Sequence, residues 1–143
     1  MIPARVLFVC GHNSGRSQMA EAFFKDIASR HTQVESAGLD PRPINPLVVE
    51  VMHELGFDLS RARSDNVFDF FKEGRLYNSV ITVCDDTTDA QCPVFPGITD
   101  RIHWSFLDPE QLTGTRQEQL TALREIRDQI QKQVANWYKQ FLD

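Results

Sequence analysis

Cysteine is scarce in this chain, and an excess of positive charge is absent. Only three cysteines occur among its 143 residues, Cys10, Cys84 and Cys92. Three is few, and an odd number, for the disulfide framework of a secreted protein, so we expect at least one free thiol. The 15 basic and 20 acidic residues give a formal net charge of −5. This balance argues against a surface that binds nucleic acid or anionic lipid.

Long apolar runs are also missing. No stretch approaches the ~20 residues that a membrane span requires. The N-terminal sequence MIPARVLFVC has only a short apolar run and no small-residue cleavage site, which is unlike a signal peptide. The sequence therefore predicts a cytoplasmic protein with reduced thiols and no membrane partner.

What the chain does contain is globular composition, with 41% hydrophobic and 24% charged residues. Its length fits one domain of ordinary size, and no repeat or linker divides it. We therefore expect residues 1–143 to form a single domain.

Four short segments are typical of β-strands. The first and third are near-continuous apolar runs, the pattern of strands buried on both faces of a parallel sheet. The second alternates weakly and indicates an outer strand. The predicted strands are, in chain order, Arg5–Cys10, Thr32–Ala37, Ser79–Cys84 and Arg101–Phe106.

Between and after these strands, apolar residues recur with a helical period. One helix follows the first strand, and another follows Asn45-Pro46, a cap and first-turn proline, and ends near Gly56. A long amphipathic helix runs from Thr115 to the C-terminus. The three stripes are Met19, Ala22, Phe23, Ile27 and Ala28; Leu47, Val48, Val51, Met52 and Leu55; and Leu120, Leu123, Ile126, Ile130, Val134, Trp137 and Phe141.

This alternation predicts βαβ units with right-handed crossovers. The expected fold is α/β in three layers, a four-stranded parallel sheet with helices on both faces. In such sheets ligands bind beyond the carboxyl ends of the strands. Cys10 and Cys84 end two of the predicted strands, and the fourth leads into Asp108. We therefore expect these three residues at one edge.

The loop between the first strand and the first helix reads C-x5-R-S. Successive backbone N–H groups in such a loop, together with the helix N-terminus, form a cradle for a tetrahedral oxyanion. Arg16 adds a planar fork for two anion oxygens. The same positive field favours the thiolate form of Cys10, a nucleophile. The predicted substrate-binding residues are Gly11, His12, Asn13, Ser14, Gly15, Arg16 and Ser17.

Individual loop residues have separate expected roles. Gly11 and Gly15 would permit the unusual dihedral angles of a tight loop. The Ser17 hydroxyl could donate to the Cys10 thiolate, and Asn13 could brace the loop by hydrogen bonds. His12 is more typical of a supporting residue than of a general base. The alternative is a structural cysteine at a strand end beside a surface arginine.

The segment VLFVCGHNSGRSQMAEAF resembles the low-molecular-weight protein tyrosine phosphatase family, and more closely its arsenate reductase branch. The resemblance extends over most of the chain, through residues 35–38, 56–60, 82–84 and 103–106 to Asp108-Pro109. It implies a low-molecular-weight phosphatase-like fold. It also implies that Cys10 is the nucleophile, Arg16 binds the oxyanion, and Asp108 is the general acid.

Two chemistries can follow the first attack. A phosphatase needs only water, whereas a reductase needs two electrons, which thiols supply by disulfide exchange. The resemblance implies a relay: Cys84 attacks Cys10 and releases arsenite, and Cys92 then attacks Cys84. The polar segment 85–91 could be mobile and carry Cys92 to Cys84. Gln18, where phosphatases usually have proline, and the absence of tyrosine after Pro109 favour the reductase.

The reductant and any metal stay open. Thioredoxin is implied, but the Cys84–Cys92 spacing is slightly long and Gly15 replaces a second loop cysteine, so glutaredoxin or a small thiol is an alternative. No tightly bound cofactor is expected. Some relatives bind a monovalent cation such as potassium, and the matching oxygen ligands are Asn13, Glu21, Ser36 and Asp65.

The leading prediction is a monomeric arsenate reductase that contributes to arsenic detoxification through a redox-active disulfide. The alternative is a phosphatase that hydrolyses phosphate monoesters of a protein or a small molecule through a phosphocysteine at Cys10. A third reading is a catalytically silent oxyanion-binding domain. Arginines that could attract an anion to the acidic protein are Arg42, Arg61, Arg63, Arg75 and Arg101.

Overall fold

The chain folds around a four-stranded, all-parallel sheet in a computed structural model. The structure describes residues 4–28, 31–84, 91–97 and 99–142. Most of the segment predicted to carry Cys92, residues 85–90, therefore lies outside the described residues. The strands are β1 (Arg5–Cys10), β2 (Gln33–Gly38), β3 (Ser79–Thr82) and β4 (Asp100–His103), in the spatial order β2-β1-β3-β4.

The helices are α1 (Arg16–Ile27), α2 (Pro46–His53), α3 (Val67–Lys72) and α4 (Arg116–Lys139), with a short 3₁₀ turn at Pro109–Gln111. The predicted parallel sheet with helices on both faces is confirmed. The third and fourth strands end earlier than predicted, so Cys84 lies two residues beyond β3. The sequence pattern did not indicate α3, because six residues are too few to establish a period.

The sheet separates two hydrophobic clusters because successive side chains of a strand point to opposite faces. Val6, Phe8 and Cys10 of β1 belong to the larger cluster, which packs against α1, α2 and α4. Leu7 and Val9 belong to the smaller cluster, which includes Val67 and Phe70 of α3. Burying each such apolar side chain stabilises the fold by about 1.5–3 kcal/mol.

Local sequence determines where two of the helices begin. The Asn45 side chain accepts a hydrogen bond from the backbone N–H of Leu47 at 2.9 Å, and Pro46 occupies the first turn of α2. Thr115 and Glu118 form a reciprocal capping box at the start of α4. Caps of this kind satisfy backbone N–H groups that the helix itself leaves without acceptors. In the described part of the chain, no helix combines the length and apolar character that crossing a membrane needs.

Helix α4 is fastened to the end of α2 by arginine–carboxylate pairs. Glu54 accepts hydrogen bonds from Arg124 at 2.8–3.2 Å and from Arg127 at 2.9 Å. Arg127 is buried, and its guanidinium also donates to the carbonyl of Val51. The hydrogen bonds from Arg124, reinforced by Arg127, lower the pKa of Glu54 from 4.5 to about 2.

We expect Glu54→Gln to remove a pH-dependent part of the free energy of unfolding. A depressed folded-state pKa contributes stability that is fully present above pH 4.5 and is lost as the pH falls towards 2. Urea unfolding should show wild type more stable than the variant at pH 7, with the gap closing near pH 2.5. The control is Glu125→Gln, at an exposed position on α4, whose effect on the free energy of unfolding should be small. A Glu54 gap of equal size at both pH values would contradict the prediction.

Candidate active site

The C-x5-R-S loop lies between β1 and α1, at the carboxyl edge of the sheet. Cys10 is the last residue of the central strand and is 2% exposed. Its Sγ lies 2.9 Å from Ser17 Oγ and accepts a hydrogen bond from the backbone N–H of Asn13 at 3.2 Å. Ser17 Oγ itself accepts from Asn13 Nδ2 at 2.7 Å, which leaves the Ser17 proton for the sulfur. Two hydrogen-bond donors, the Ser17 hydroxyl and the backbone N–H of Asn13, therefore face Sγ.

Asn13 is the loop residue in the left-handed region, with φ of 52°, and neither Gly11 nor Gly15 has a positive φ. Gly15 nevertheless has unusual dihedral angles, as predicted, with φ of −153° and ψ of −87°, whereas the left-handed residue of the loop is Asn13. Asparagine tolerates this region better than most residues. Its side chain is fully buried and also donates to Ser36 Oγ at 3.0 Å, while its Oδ1 accepts from the backbone N–H of Asp65 at 2.9 Å.

Arg16 is the first residue of α1 and is 4% exposed. Its Nη1 donates to the backbone carbonyl of Phe106 at 2.9 Å, and its Nη2 lies 3.7 Å from Asp108 Oδ2. The guanidinium is therefore held in one orientation beside the nucleophile. A rigid planar fork of this kind suits bidentate binding of a tetrahedral oxyanion.

Asp108 caps the 3₁₀ turn that follows β4. Its Oδ1 accepts a hydrogen bond from the backbone N–H of Glu110 at 2.9 Å, and its Oδ2 faces Arg16. This division leaves Oδ2 placed to exchange a proton with an oxygen atom bound beside Arg16. General acid catalysis requires this kind of reach.

These residues surround one small cavity of about 10 Å³. Arg16 is the arginine that lines it. The five arginines predicted as possible attractors of an anion are not part of this lining in the described structure. His12 lines the cavity, and its Nδ1 lies 3.0 Å from the backbone oxygen of Asp40, a placement that fits a supporting role. The full lining is Cys10, His12, Ser14, Gly15, Arg16, Asp108, Pro109 and Glu110.

The remaining two cysteines pack in different clusters, and none of the three cysteines forms a disulfide. Cys84, 1% exposed, lies two residues beyond β3 and in the same hydrophobic cluster as Cys10. Cys92, 5% exposed, packs with Leu7, Val9 and Phe95 in the smaller cluster on the other face of the sheet. The structure thus places Cys10 and Cys84 on one face of the sheet and Cys92 on the other.

The four predicted cation ligands lie in or beside one polar network below the loop. Ser36 Oγ donates to Glu21 Oε1 at 2.5 Å and accepts from Asn13, which in turn accepts from the backbone of Asp65. The other oxygen of Glu21 is bound by Lys25 Nζ at 2.5 Å. Glu21 therefore already carries a positive partner. In the part of the chain described, no cluster of three His, Cys, Asp or Glu side chains could hold a metal ion.

Two contributors to the site were missed by sequence reasoning. Glu110 lines the cavity, and Gly38, the last residue of β2, lies against the loop backbone. An added Cβ at Gly38 would lie 2.7 Å from the backbone nitrogen of Asn13 and 2.8 Å from the carbonyl carbon of His12. Neither residue is part of the C-x5-R-S motif, and only the three-dimensional arrangement shows that both lie beside the loop.

Comparison with known proteins places this geometry among related enzymes. Residues 5–142 match the sequence model of the family described as low molecular weight phosphotyrosine protein phosphatase. An arsenate reductase from Shouchella clausii is 38% identical over 126 residues, which cover 87% of this chain and 88% of that protein. An arsenate reductase from Bacillus subtilis is 37% identical with the same coverage.

Solved structures of arsenate reductases are also similar to this chain. An arsenate reductase in the oxidized state is 29% identical, with a TM-score of 0.79, and the match covers 96% of this chain and 98% of that chain. A thioredoxin-dependent arsenate reductase from Corynebacterium glutamicum is 28% identical, with a TM-score of 0.73, over 95% of this chain and 60% of that chain.

We expect Gly38→Ala to weaken oxyanion binding. The added methyl group would displace the backbone at Asn13, and overpacking of this kind typically costs about 1–3 kcal/mol. Calorimetric titration with inorganic phosphate should show a loss of affinity of about tenfold, equivalent to ~1.4 kcal/mol.

Gly74→Ala provides the matched control for this change. Gly74 has φ of 74°, and nothing lies within 4 Å of a Cβ added there. The substitution should lower stability through left-handed strain and leave phosphate affinity unchanged. Equal phosphate affinities in Gly38→Ala and wild type would show that the loop does not depend on this close approach.

Proposed function

The chain belongs to the low molecular weight phosphotyrosine protein phosphatase family, and we propose that it is an arsenate reductase driven by a thiol relay. The observation that carries the proposal is the placement of Cys84 in the same buried cluster as the nucleophile Cys10. Hydrolysis of a phosphocysteine by water does not require a second thiol, whereas reduction does. The arsenate reductases that match along most of the chain support the same conclusion.

The first step is formation of a bond between Cys10 Sγ and arsenic. The loop N–H groups and the Arg16 guanidinium bind the arsenate oxygens, and the Cys10 thiolate attacks the arsenic atom. An As–O bond breaks as the S–As bond forms. Asp108 Oδ2 gives a proton to the departing oxygen, which leaves as water.

The second step supplies the electrons. The thiolate of Cys84 attacks Sγ of Cys10, so that an S–S bond forms and the S–As bond breaks. The electron pair of the broken bond passes to arsenic, which falls from As(V) to As(III) and leaves as arsenite. The cysteines lose the two electrons that arsenic gains.

Regeneration passes through Cys92. Its thiolate attacks Cys84, frees Cys10 and leaves a Cys84–Cys92 disulfide for an external dithiol to reduce. Cys92 must first leave its cluster on the other face of the sheet. The relative from Corynebacterium glutamicum is described as thioredoxin-dependent. We propose thioredoxin as the reductant here, in the cytoplasm, where such dithiols are kept reduced.

No step of this mechanism uses a metal ion or another bound cofactor. The predicted potassium ligands fit a cation poorly, because Lys25 already neutralises the carboxylate of Glu21. We assign Asn13, Glu21 and Ser36 the task of orienting Ser17 and hence the Cys10 thiolate. The enzyme acts as a monomer in this proposal.

Phosphatase chemistry shares the first step and is therefore expected as a slow side reaction. Cys10, Arg16 and Asp108 would act on a phosphate monoester as they act on arsenate. No aromatic side chain lines the described cavity to hold a phosphotyrosine ring.

Cysteine variants test the relay. We expect Cys10→Ser to abolish both arsenate reduction and ester hydrolysis, because each begins with the thiolate. Cys84→Ser and Cys92→Ser should abolish multiple-turnover reduction with thioredoxin and retain slow hydrolysis of p-nitrophenyl phosphate. Thioredoxin-coupled NADPH oxidation and nitrophenol release measure the two activities. Normal reduction by both resolving-cysteine variants would refute the relay.

Peptide mass spectrometry after a single turnover gives the order of the disulfides. Wild type treated with one equivalent of arsenate in the absence of reductant should contain a Cys84–Cys92 disulfide. Cys92→Ser should instead retain the Cys10–Cys84 disulfide. Recovery of three thiols together with released arsenite would require a different electron source.

A further inference from the structure

Glu110 lies at the mouth of the oxyanion cavity, directly after Asp108-Pro109. It lines the same cavity as Cys10, Arg16 and Asp108, and its side chain is at the solvent boundary. The mechanism above gives it no role.

The Glu110 carboxylate contacts two segments that are remote in sequence. Its Oε1 accepts a hydrogen bond from Asn45 Nδ2 at 3.2 Å and lies 3.5 Å from Ser14 Oγ, also as an acceptor. Ser14 belongs to the oxyanion loop, and its backbone oxygen accepts from the backbone N–H of Asn45. Asn45 also caps α2. Glu110 thus joins the acid segment, residues 106–110 around Asp108, to the oxyanion loop and to α2.

The acid segment is consequently held on both sides of Asp108. Before it, the Phe106 carbonyl accepts from Arg16, and after it, Glu110 contacts Ser14 and Asn45. The backbone N–H of Glu110 also binds Asp108 Oδ1. Loss of the hydrogen bonds of the Glu110 side chain would therefore make both the cavity wall and Asp108 less rigid.

We propose that Glu110 is a specificity-determining positioning residue that keeps the cavity closed to the size of a free tetrahedral oxyanion. A phosphate ester carries an organic group on one oxygen, and that group needs the space at the mouth where Glu110 meets the loop. Arsenate has no such group. This inference rests on the proposed function and names what makes the site prefer inorganic oxyanions to esters.

Paired variants separate hydrogen bonding from charge. Glu110→Ala removes both contacts, whereas the amide oxygen of Glu110→Gln can still accept from Asn45 and Ser14. On the full-length protein, kcat and KM are measured for arsenate with thioredoxin and for p-nitrophenyl phosphate. Glu110→Ala should lower the KM for the ester and raise the ester-to-arsenate ratio of kcat/KM by about fivefold or more. Glu110→Gln should keep the wild-type ratio, and a Gln variant that behaves like Ala overturns the proposal.

Asn45, the hydrogen-bond donor to Glu110, offers an independent test through Asn45→Asp. Aspartate caps a helix as well as asparagine does, so α2 should stay intact. The substitution removes the amide donor and places a second carboxylate against Glu110. It should raise the ratio as Glu110→Ala does, and the double variant should show no further increase. Gln111→Ala, exposed in the same turn and outside the cavity lining, should leave the ratio unchanged.

The outcome can be read even if the proposed function fails. If wild type hydrolyses esters but never reduces arsenate, the reductase assignment falls. The role of Glu110 is then tested with two constants that involve no redox step. The inhibition constant of inorganic phosphate reports oxyanion binding, and the KM for p-nitrophenyl phosphate reports ester binding. A ratio of these constants within twofold of wild type in both Glu110→Ala and Asn45→Asp overturns the role of Glu110.

Discussion

The buried side chain of Asn13 is the interaction on which the rest of the site depends. Its amide orients Ser17 towards the Cys10 sulfur and reaches Ser36 on β2, while its carbonyl oxygen accepts from the backbone of Asp65. One residue in a left-handed conformation thereby ties the oxyanion loop to a strand and to the segment before α3. A buried amide that lost these partners would leave several polar groups unsatisfied, at about 1–3 kcal/mol each.

Much of this arrangement could be predicted from local sequence. The apolar run of β1, the loop that follows it and the stripes of α1, α2 and α4 are contiguous patterns, so the sheet and the place of Cys10 at the end of β1 were predictable. Short elements were not: α3 has six residues, and the ends of β3 and β4 depend on pairing rather than composition. The pairing of Glu110 with Ser14 spans 96 residues, and no pattern along the chain reports a contact of that kind.

The conformation of the C-x5-R-S loop depends on residues that the motif does not identify. Gly15 has the unusual dihedral angles that the sequence predicted, but the residue in the left-handed region is Asn13. The glycine with the strictest steric requirement is Gly38, on a neighbouring strand, because its missing Cβ makes room for the loop backbone. Register explains this, since Gly38 is paired with Cys10 at the end of two parallel strands.

The packing of Cys92 on the far face of the sheet affects how readily its thiol is oxidised in the resting protein. A disulfide needs its two Cα atoms within about 7 Å and their side chains turned towards each other. Cys84 and Cys92 are built into separate cores, so dissolved oxygen cannot couple them until the smaller core opens. Direct oxidation of Cys84 with Cys92 in the resting state therefore requires a local opening of the smaller cluster. The sheet thus keeps the second and third thiols of the proposed relay apart in the resting protein.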